Sequence, residues 1–284
     1  MRGIYEFVEV QLPGLENRAY VHELEGKLIR APQAPPNGVE CLIAVDSGFA
    51  EVTYAGARLG IINAVGMEFI GKTKMSVLKP LLLGKSIELS VEARAVELDV
   101  AAQLISASRG GCVVLLDGTV RLNTDSEEYL RAKSILLSTA RSRGAAVLAH
   151  SKDVTVNRYS GLDVDERMPL FMAMEENRRA DGYAGVMLTV PISDGALSYF
   201  YVQYKPHLLP MYVEATEPLD PSVLALIGEL TTREGYPLPL YVVDRLSKLS
   251  GDVIKYVKLS ISKLARGYGA IAIHETLREM LDKH

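Results

Sequence analysis

Two stretches carry residue types that can do chemistry. GMEFIGKT at residues 66–73 fits the pattern G-x-x-x-x-G-K-S/T, and CVVLLDG at 112–118 has the form of the apolar strand ending in a magnesium-binding Asp that follows such loops in ATPases. A phosphate-binding loop wraps backbone N–H groups around phosphate while its lysine reaches the β and γ phosphates. The intervening residues here are Met67, Glu68, Phe69 and Ile70. Glu68 would set a carboxylate beside phosphates, and Phe69 and Ile70 resist the positive φ that such loops use. The helix required after Lys72 would be cut short at Pro80. The four residues read instead as the end of a strand and its turn. A nucleotide-binding protein is kept as the lesser alternative.

A second constellation is carboxylate chemistry. LIAVDSG and VVLLDGT are apolar runs that end in Asp46 and Asp117, each followed by small residues. An acid at the tip of a buried strand has its backbone held by the sheet while its side chain reaches an open edge. Oxygen donors of this kind suit Mg²⁺ or Mn²⁺, and such ions can activate water and stabilise the leaving oxygen in phosphodiester cleavage. Glu97, on the segment before the Asp117 strand, could supply a third carboxylate. The competing reading is that each Asp caps the turn or helix that follows it.

The elements that must position these groups follow from the pattern. Residues 1–39 form an N-terminal arm closed by APQAPPNG, whose prolines break regular structure. From Glu40 a meander of strands runs through GMEFI. Residues 86–108 recur in apolar character at spacings of three and four, which predicts a helix with Glu97 central. CVVLLDG, SEEYLRAKSILLSTARSRG and AAVLAH then read as strand, helix and strand, a βαβ unit. GVMLTVPI, ALSYFYVQY and PMYVEAT are further strands, and residues 221–284 are helices. The expected fold is α/β, a single domain over 40–284 with a helical C-terminal region.

Composition bounds the rest. A chain of 284 residues with 48% hydrophobic and 23% charged residues can bury a large core, and a net charge of −4 announces no global basic field. Cys41 and Cys112, the only cysteines, lie in apolar runs and read as small buried hydrophobes rather than a disulfide. With no apolar run near the about 18–20 residues that span a bilayer and no signal-peptide core, a cytoplasmic protein is expected.

Five segments in order, IAVDSG, VVLLDGT, VLAHSKD, YFYVQYKPHLLPMYVEA and GYPLPLYVVDRLSKLS, resemble the NurA nuclease family over about Leu42 to Leu249. The resemblance implies a ribonuclease-H-like mixed sheet flanked by helices. It also implies a manganese-dependent nuclease acting on DNA ends and single strands in end resection, dimeric, and docked on the hexameric ATPase HerA. Asp46 corresponds to the family's first acid, Asp117 to the acid before Gly, and Glu97 to the helix acid. Two positions depart from the family: Ser47 and Gly48 exchange the order of its Asp-Gly-Ser motif, and Asp244 stands where many members place a metal-binding His. Asp can still hold Mn²⁺ or Mg²⁺; a degenerate member acting as an adaptor on the HerA ring is the alternative. Lys152 is a candidate phosphate contact or a solvated lysine. Tyr199, Tyr201 and Tyr204 are candidates to stack on bases or to pack the core. His150 reads as structural, and His207 and His274 have no companion at metal-ligand spacing. The arm and the C-terminal helices are expected to make the contacts of a homodimer or of the ATPase ring.

Overall fold

The computed structural model describes residues 24–33, 39–54, 57–70, 73–84, 87–151, 159 and 166–267. The strands are β1 Leu28–Arg30, β2 Leu42–Tyr54, β3 Ala57–Glu68, β4 Lys74–Leu82, β5 Val113–Asp117, β6 Ala146–Ser151, β7 Met187–Thr189, β8 Ile192–Asp194, β9 Leu197–Gln203 and β10 Met211–Thr216. The helices are α1 Leu89–Ala107, α2 Glu127–Arg143, α3 Arg167–Asp181, α4 Ser222–Glu229, α5 Leu238–Ser247 and α6 Gly251–Gly267. All ten strands join one mixed sheet in the order β1-β7-β9-β10-β6-β5-β2-β3-β4, with β8 paired to β9. The α/β, ribonuclease-H-like expectation holds.

At the centre β2, β5 and β6 run parallel, Leu42 opposite Val113 and Val113 opposite Ala146. Their sequences are continuously apolar because both faces are covered. Ile43, Val45, Val114, Leu116 and Val147 pack with α1 and α2 on one face. Leu42, Ala44, Val113, Leu115 and Leu148 pack on the other with Leu224, Ile227, Leu240 and Val243 of α4 and α5. Each buried Val, Leu or Ile side chain among them contributes about 1.5–3 kcal/mol.

The phosphate-loop pattern dissolves in this sheet. β3 runs through Gly66 to Glu68, Phe69 and Ile70 turn, and β4 follows where a helix would be required. Pro80 sits on β4, an edge strand where its missing N–H costs least. Gly71 and Lys72 lie outside the described residues. Gly66 has a different purpose: a Cβ there would run into the Leu104 side chain and come 2.8 Å from Val100 Cγ1, both on α1. The bare backbone lets the helix that carries Glu97 lie close on β3. Gly66→Val is therefore expected to cost about 1–3 kcal/mol by overpacking, measured as a lower urea midpoint; an unchanged midpoint would refute this role.

Two expectations are corrected. Residues Leu24 to Ala31 do not belong to a free arm: Leu24 is fully buried beside Leu170 and Tyr201, and β1 pairs antiparallel with β7, Ile29 opposite Leu188. Residues 1–23 lie outside the described residues. Cys41 and Cys112 are buried but not free. They precede the paired residues Leu42 and Val113, so the parallel register sets their Cα atoms 4.5 Å apart and they form a disulfide.

Candidate active site

The register that joins β2 to β5 also makes the site. Val45 lies opposite Leu116, so the next residues, Asp46 and Asp117, stand side by side. β5 stops at Asp117, as its sequence predicts, whereas β2 continues to Tyr54 in a hairpin with β3. Asp46 is thus not a strand tip; it faces the notch left where its parallel neighbour ends. Gly48 serves that position by letting α5 dock, since a Cβ there would lie 2.5 Å from the Ser247 carbonyl oxygen. Asn63 on β3 donates 2.8 Å to the same carbonyl. The docked end of α5 aims Ser247 Oγ at Asp46, a 2.5 Å hydrogen bond.

Glu97 arrives from the opposite face. Thirteen of the nineteen residues of α1 are buried, which fixes the helix rotation, and Glu97 is only 2% exposed. Its Oε2 accepts from Ser47 Oγ at 3.1 Å. Its Oε1 accepts from Arg94, one turn earlier, whose guanidinium also donates to the carbonyls of Asp117 and, at 2.9 Å, Thr119. One buried cation thereby ties the helix acid to the end of β5. Asp46, Glu97, Asp117, Arg94 and Thr119 line a cleft of about 350 Å³.

The loop after Asp117 is fixed from below. Glu214 Oε2 on β10 accepts from the backbone N–H groups of Val120, 2.7 Å, and Arg121, 3.1 Å, while Tyr129 donates to the Val120 carbonyl. Tyr236, on the loop before α5, lies close enough to Asp117 for the carboxylate's charge to act on its phenol.

The electrostatics favour a cation. Burial pushes the Asp46 carboxyl up, hydrogen bonds from Ser247 and the Ser47 backbone pull it down, and the charges of Asp117 and Asp244 push it up again. Burial pushes Glu97 up to about 8 against the pull of Arg94, with Asp46 and Asp117 adding to the rise. Burial and the same carboxylates hold the Tyr236 phenol far above its ordinary range. Among the described residues no three His, Cys, Asp or Glu groups enclose a metal position as they stand. The donor set fits a divalent ion nonetheless. It is all carboxylate oxygen, suited to Mn²⁺ or Mg²⁺, and its mutual repulsion, which Arg94 offsets in part, is what such an ion would relieve.

The other candidates separate. Asp244 lies on α5 at the rim, close enough for its charge to act on Asp46, and pairs with Lys248 at 2.8 Å. Tyr201, expected as a base-stacking residue, is corrected: it is fully buried, edge-on to Tyr212 and Tyr159. Tyr199 is buried too, because β9 is covered on both faces, and Tyr204, just past its end, packs in the core with Val186 and Leu224. Lys152 and His274 lie outside the described residues. His150, opposite Asp117 on β6, is structural as expected, its Nε2 2.7 Å from Tyr204 Oη. Sequence reasoning missed Arg94, Glu214, Tyr236 and Ser247. The signals were an arginine at i−3 from Glu97 and a lone acid within the apolar strand MYVEAT.

His150 sets a pH dependence of stability. Burial pushes its imidazole from the ordinary 6.5 down to about 4, against the pull of Asp117. Below pH 6.5 the unfolded chain takes up the proton while the folded chain does not, so stability falls between pH 6.5 and about 4 and this contribution has no slope above 6.5. The loss over that window is about 3 kcal/mol. Glu97, raised to about 8, gains stability as pH falls over the same range, so the test is a difference: relative to the wild type, the urea midpoint of His150→Gln should rise as pH falls from 6.5 to 4, and a difference that does not change with pH would reject the assignment.

The family model described as NurA domain matches residues 41–249. No curated protein matches the chain significantly by sequence. Among solved structures, the NurA nuclease from Sulfolobus solfataricus is similar with a TM-score of 0.62 at 13% identity, over 88% of this chain and 92% of that one. A NurA structure bound to dAMP and manganese is similar with a TM-score of 0.58 at 10% identity, over 83% of this chain and 90% of that one. A NurA structure with manganese is similar with a TM-score of 0.57 at 10% identity, over 89% and 95%. Among the described residues no helix is long and apolar enough to cross a membrane.

Proposed function

The chain belongs to the NurA domain family, and from that premise we propose that it is a divalent-metal-dependent deoxyribonuclease, hydrolysing phosphodiester bonds at DNA ends and in single strands. The observation that carries this reading is the juxtaposition of Asp46 and Asp117 at the end of β5 with Glu97 reaching the same cleft. Asp46, Asp117 and Glu97 are the residues to hold Mn²⁺ or Mg²⁺, with Asp244 at the rim. Such an ion supplies Lewis-acid stabilisation of charge developing on the phosphate and activates water. The relatives with manganese, and with manganese and dAMP, support the choice of ion and of substrate class.

The remaining residues hold the acids in place. Arg94 restrains Glu97 and the Asp117 backbone together, and Ser247 orients Asp46. Glu214 and Tyr129 keep the loop after Asp117 from swinging across the cleft. In the cell this enzyme would act in DNA end resection and repair as a homodimer docked on a HerA-type hexameric ATPase. Tyr256 and Leu259 on α6, 68% and 61% exposed, suit such a contact. Light scattering that shows a monomer at micromolar concentration would reject the dimer.

The decisive assay uses fluorescently labelled single- and double-stranded DNA with Mn²⁺, Mg²⁺ or chelator, with and without a HerA-type partner. Metal-dependent cleavage is expected. The second reading, a degenerate adaptor on the HerA ring, draws on one observation: Arg94 already occupies the neighbourhood of Glu97 with positive charge. It predicts DNA or partner binding without turnover in any metal, so cleavage by the purified chain eliminates it.

A further inference from the structure

A second cleft, about 540 Å³, opens beside the carboxylate centre and includes Ser151, Arg167, His207, Leu209, Glu234 and Tyr236 in its walls. The two places adjoin: Ser151 in this wall follows His150, which lies opposite Asp117 in the sheet, and the Asp117 charge acts on the Tyr236 phenol. We propose that His207 and Arg167 form a phosphate-binding subsite for the nucleic-acid backbone, one that holds the strand beside the bond to be cut. The inference rests on the reading of the chain as a DNA-acting protein.

His207 is held in an unusual way. Among the described residues it is the one non-glycine with positive φ, 64°, a conformation that asparagine or glycine adopts more readily. Glu175, 5% exposed, maintains it with both oxygens: Oε1 accepts the His207 backbone N–H at 2.9 Å and Oε2 lies 2.9 Å from Nδ1. Glu175 is in turn held by Gln203 Nε2 at 3.1 Å, and Gln203 by Arg178 Nε at 2.9 Å. All of this buried order ends in a side chain that is 81% exposed. A histidine kept for packing would be covered. This one has Nδ1 committed to Glu175, which leaves Nε2 on the solvent side of the cleft. Outliers of this kind cluster where a side chain must be aimed.

The neighbouring loop is held to the same frame. Lys205, two residues before His207, donates to the carbonyls of Thr231 and Thr232 in the turn that precedes Tyr236. The walls of the cleft are thus fixed relative to each other. Glu234 is the acid among the cleft residues named above, and Arg233 and Lys205 both act on it. With Nδ1–H held by Glu175, Nε2 is a donor in the imidazolium form, and an imidazolium and a guanidinium lining one cleft are the donors that bind phosphodiester oxygens. Leu209, 50% exposed on the same rim, offers an apolar surface to sugar or base.

The test is equilibrium binding of a short fluorescein-labelled single strand, read by anisotropy in EDTA so that no cleavage intervenes. His207→Asn suits the positive φ while removing the imidazole, so its urea midpoint should not fall. Its Kd is expected to weaken about fivefold, and Glu175→Gln, which loosens the ring, should weaken binding in the same direction. Arg167→Gln should weaken binding and also reduce the slope of log Kd against log salt by about 0.7, the loss of one counterion released from a single strand. A merely structural role would leave that slope unchanged. Wild-type affinity and salt slope in both His207→Asn and Arg167→Gln overturn the subsite, even in a chain that cuts DNA. Weakened binding in the variants of a chain that never cuts DNA in Mn²⁺ upholds the subsite and defeats only the nuclease reading. A wild-type chain that does not bind the strand overturns the subsite as well.

Discussion

Asp117→Asn is expected to lower Mn²⁺-supported DNA cleavage by at least about a thousandfold, and Asp46→Asn to do the same, with the fold retained. The two side chains stand side by side at the end of β5, so each is an oxygen donor that the proposed ion cannot replace from elsewhere in the cleft. The change is nearly isosteric. Asp117 closes a strand whose other four residues are buried and unchanged. At Asp46 the amide removes a carboxyl that burial already pushes toward its neutral form, so stability should hold or rise slightly. The measurement is single-turnover cleavage of labelled DNA at saturating Mn²⁺, with thermal melts run alongside to confirm folding. Wild-type rates in either variant would remove these acids from the site and with them the nuclease mechanism proposed above. If neither the wild type nor the variants cut, the adaptor reading gains instead.

The largest expected effect on stability belongs to the disulfide. Cys41 and Cys112 are 71 residues apart in sequence, and closing a loop of that length in the unfolded chain is worth about 4 kcal/mol in the chain-entropy account. The loop contains β2, β3, β4 and α1, which together carry Asp46 and Glu97. Loss of the cross-link should therefore lower the urea midpoint of the whole domain while leaving the folded site in place, because the same neighbours are also joined by the β2–β5 hydrogen bonds. Cys41→Ala with Cys112→Ala, or the wild type in reductant, should show the shift, and the double variant should then be insensitive to reductant. Equal midpoints for the oxidised and reduced wild type would mean that the bond contributes nothing.

Much of the framework was legible in the sequence because it depends on local periodicity. The continuous apolar runs at 42–45, 113–116 and 146–149 mark strands covered on both faces, and the three-and-four spacing of 89–107 marks the helix that carries Glu97. Asp117 at the end of its run, and the order of segments shared with the NurA family, were also visible in one dimension. The weakness of the phosphate-loop reading was visible in Met67, Glu68, Phe69 and Ile70 and in Pro80, and β4 stands where the loop would need a helix.

What only the tertiary structure decided was which residues meet. Strand pairing is non-local, so nothing in either segment alone says that Leu42 faces Val113; that single register places Asp46 beside Asp117 and, at its other end, turns two buried thiols into a disulfide. Likewise Arg94, Ser247, Tyr236 and Glu214 are ordinary residues in their own segments, and they acquire roles because helix docking and sheet order bring them to the acids. Tyr201 shows the converse. Its alternating strand pattern left a stacking surface open, and the covering of β9 on both faces closed it. Periodicity in a sequence records how much of a residue is buried, whereas the partner it is buried against is set by contacts between distant parts of the chain, which no local pattern encodes.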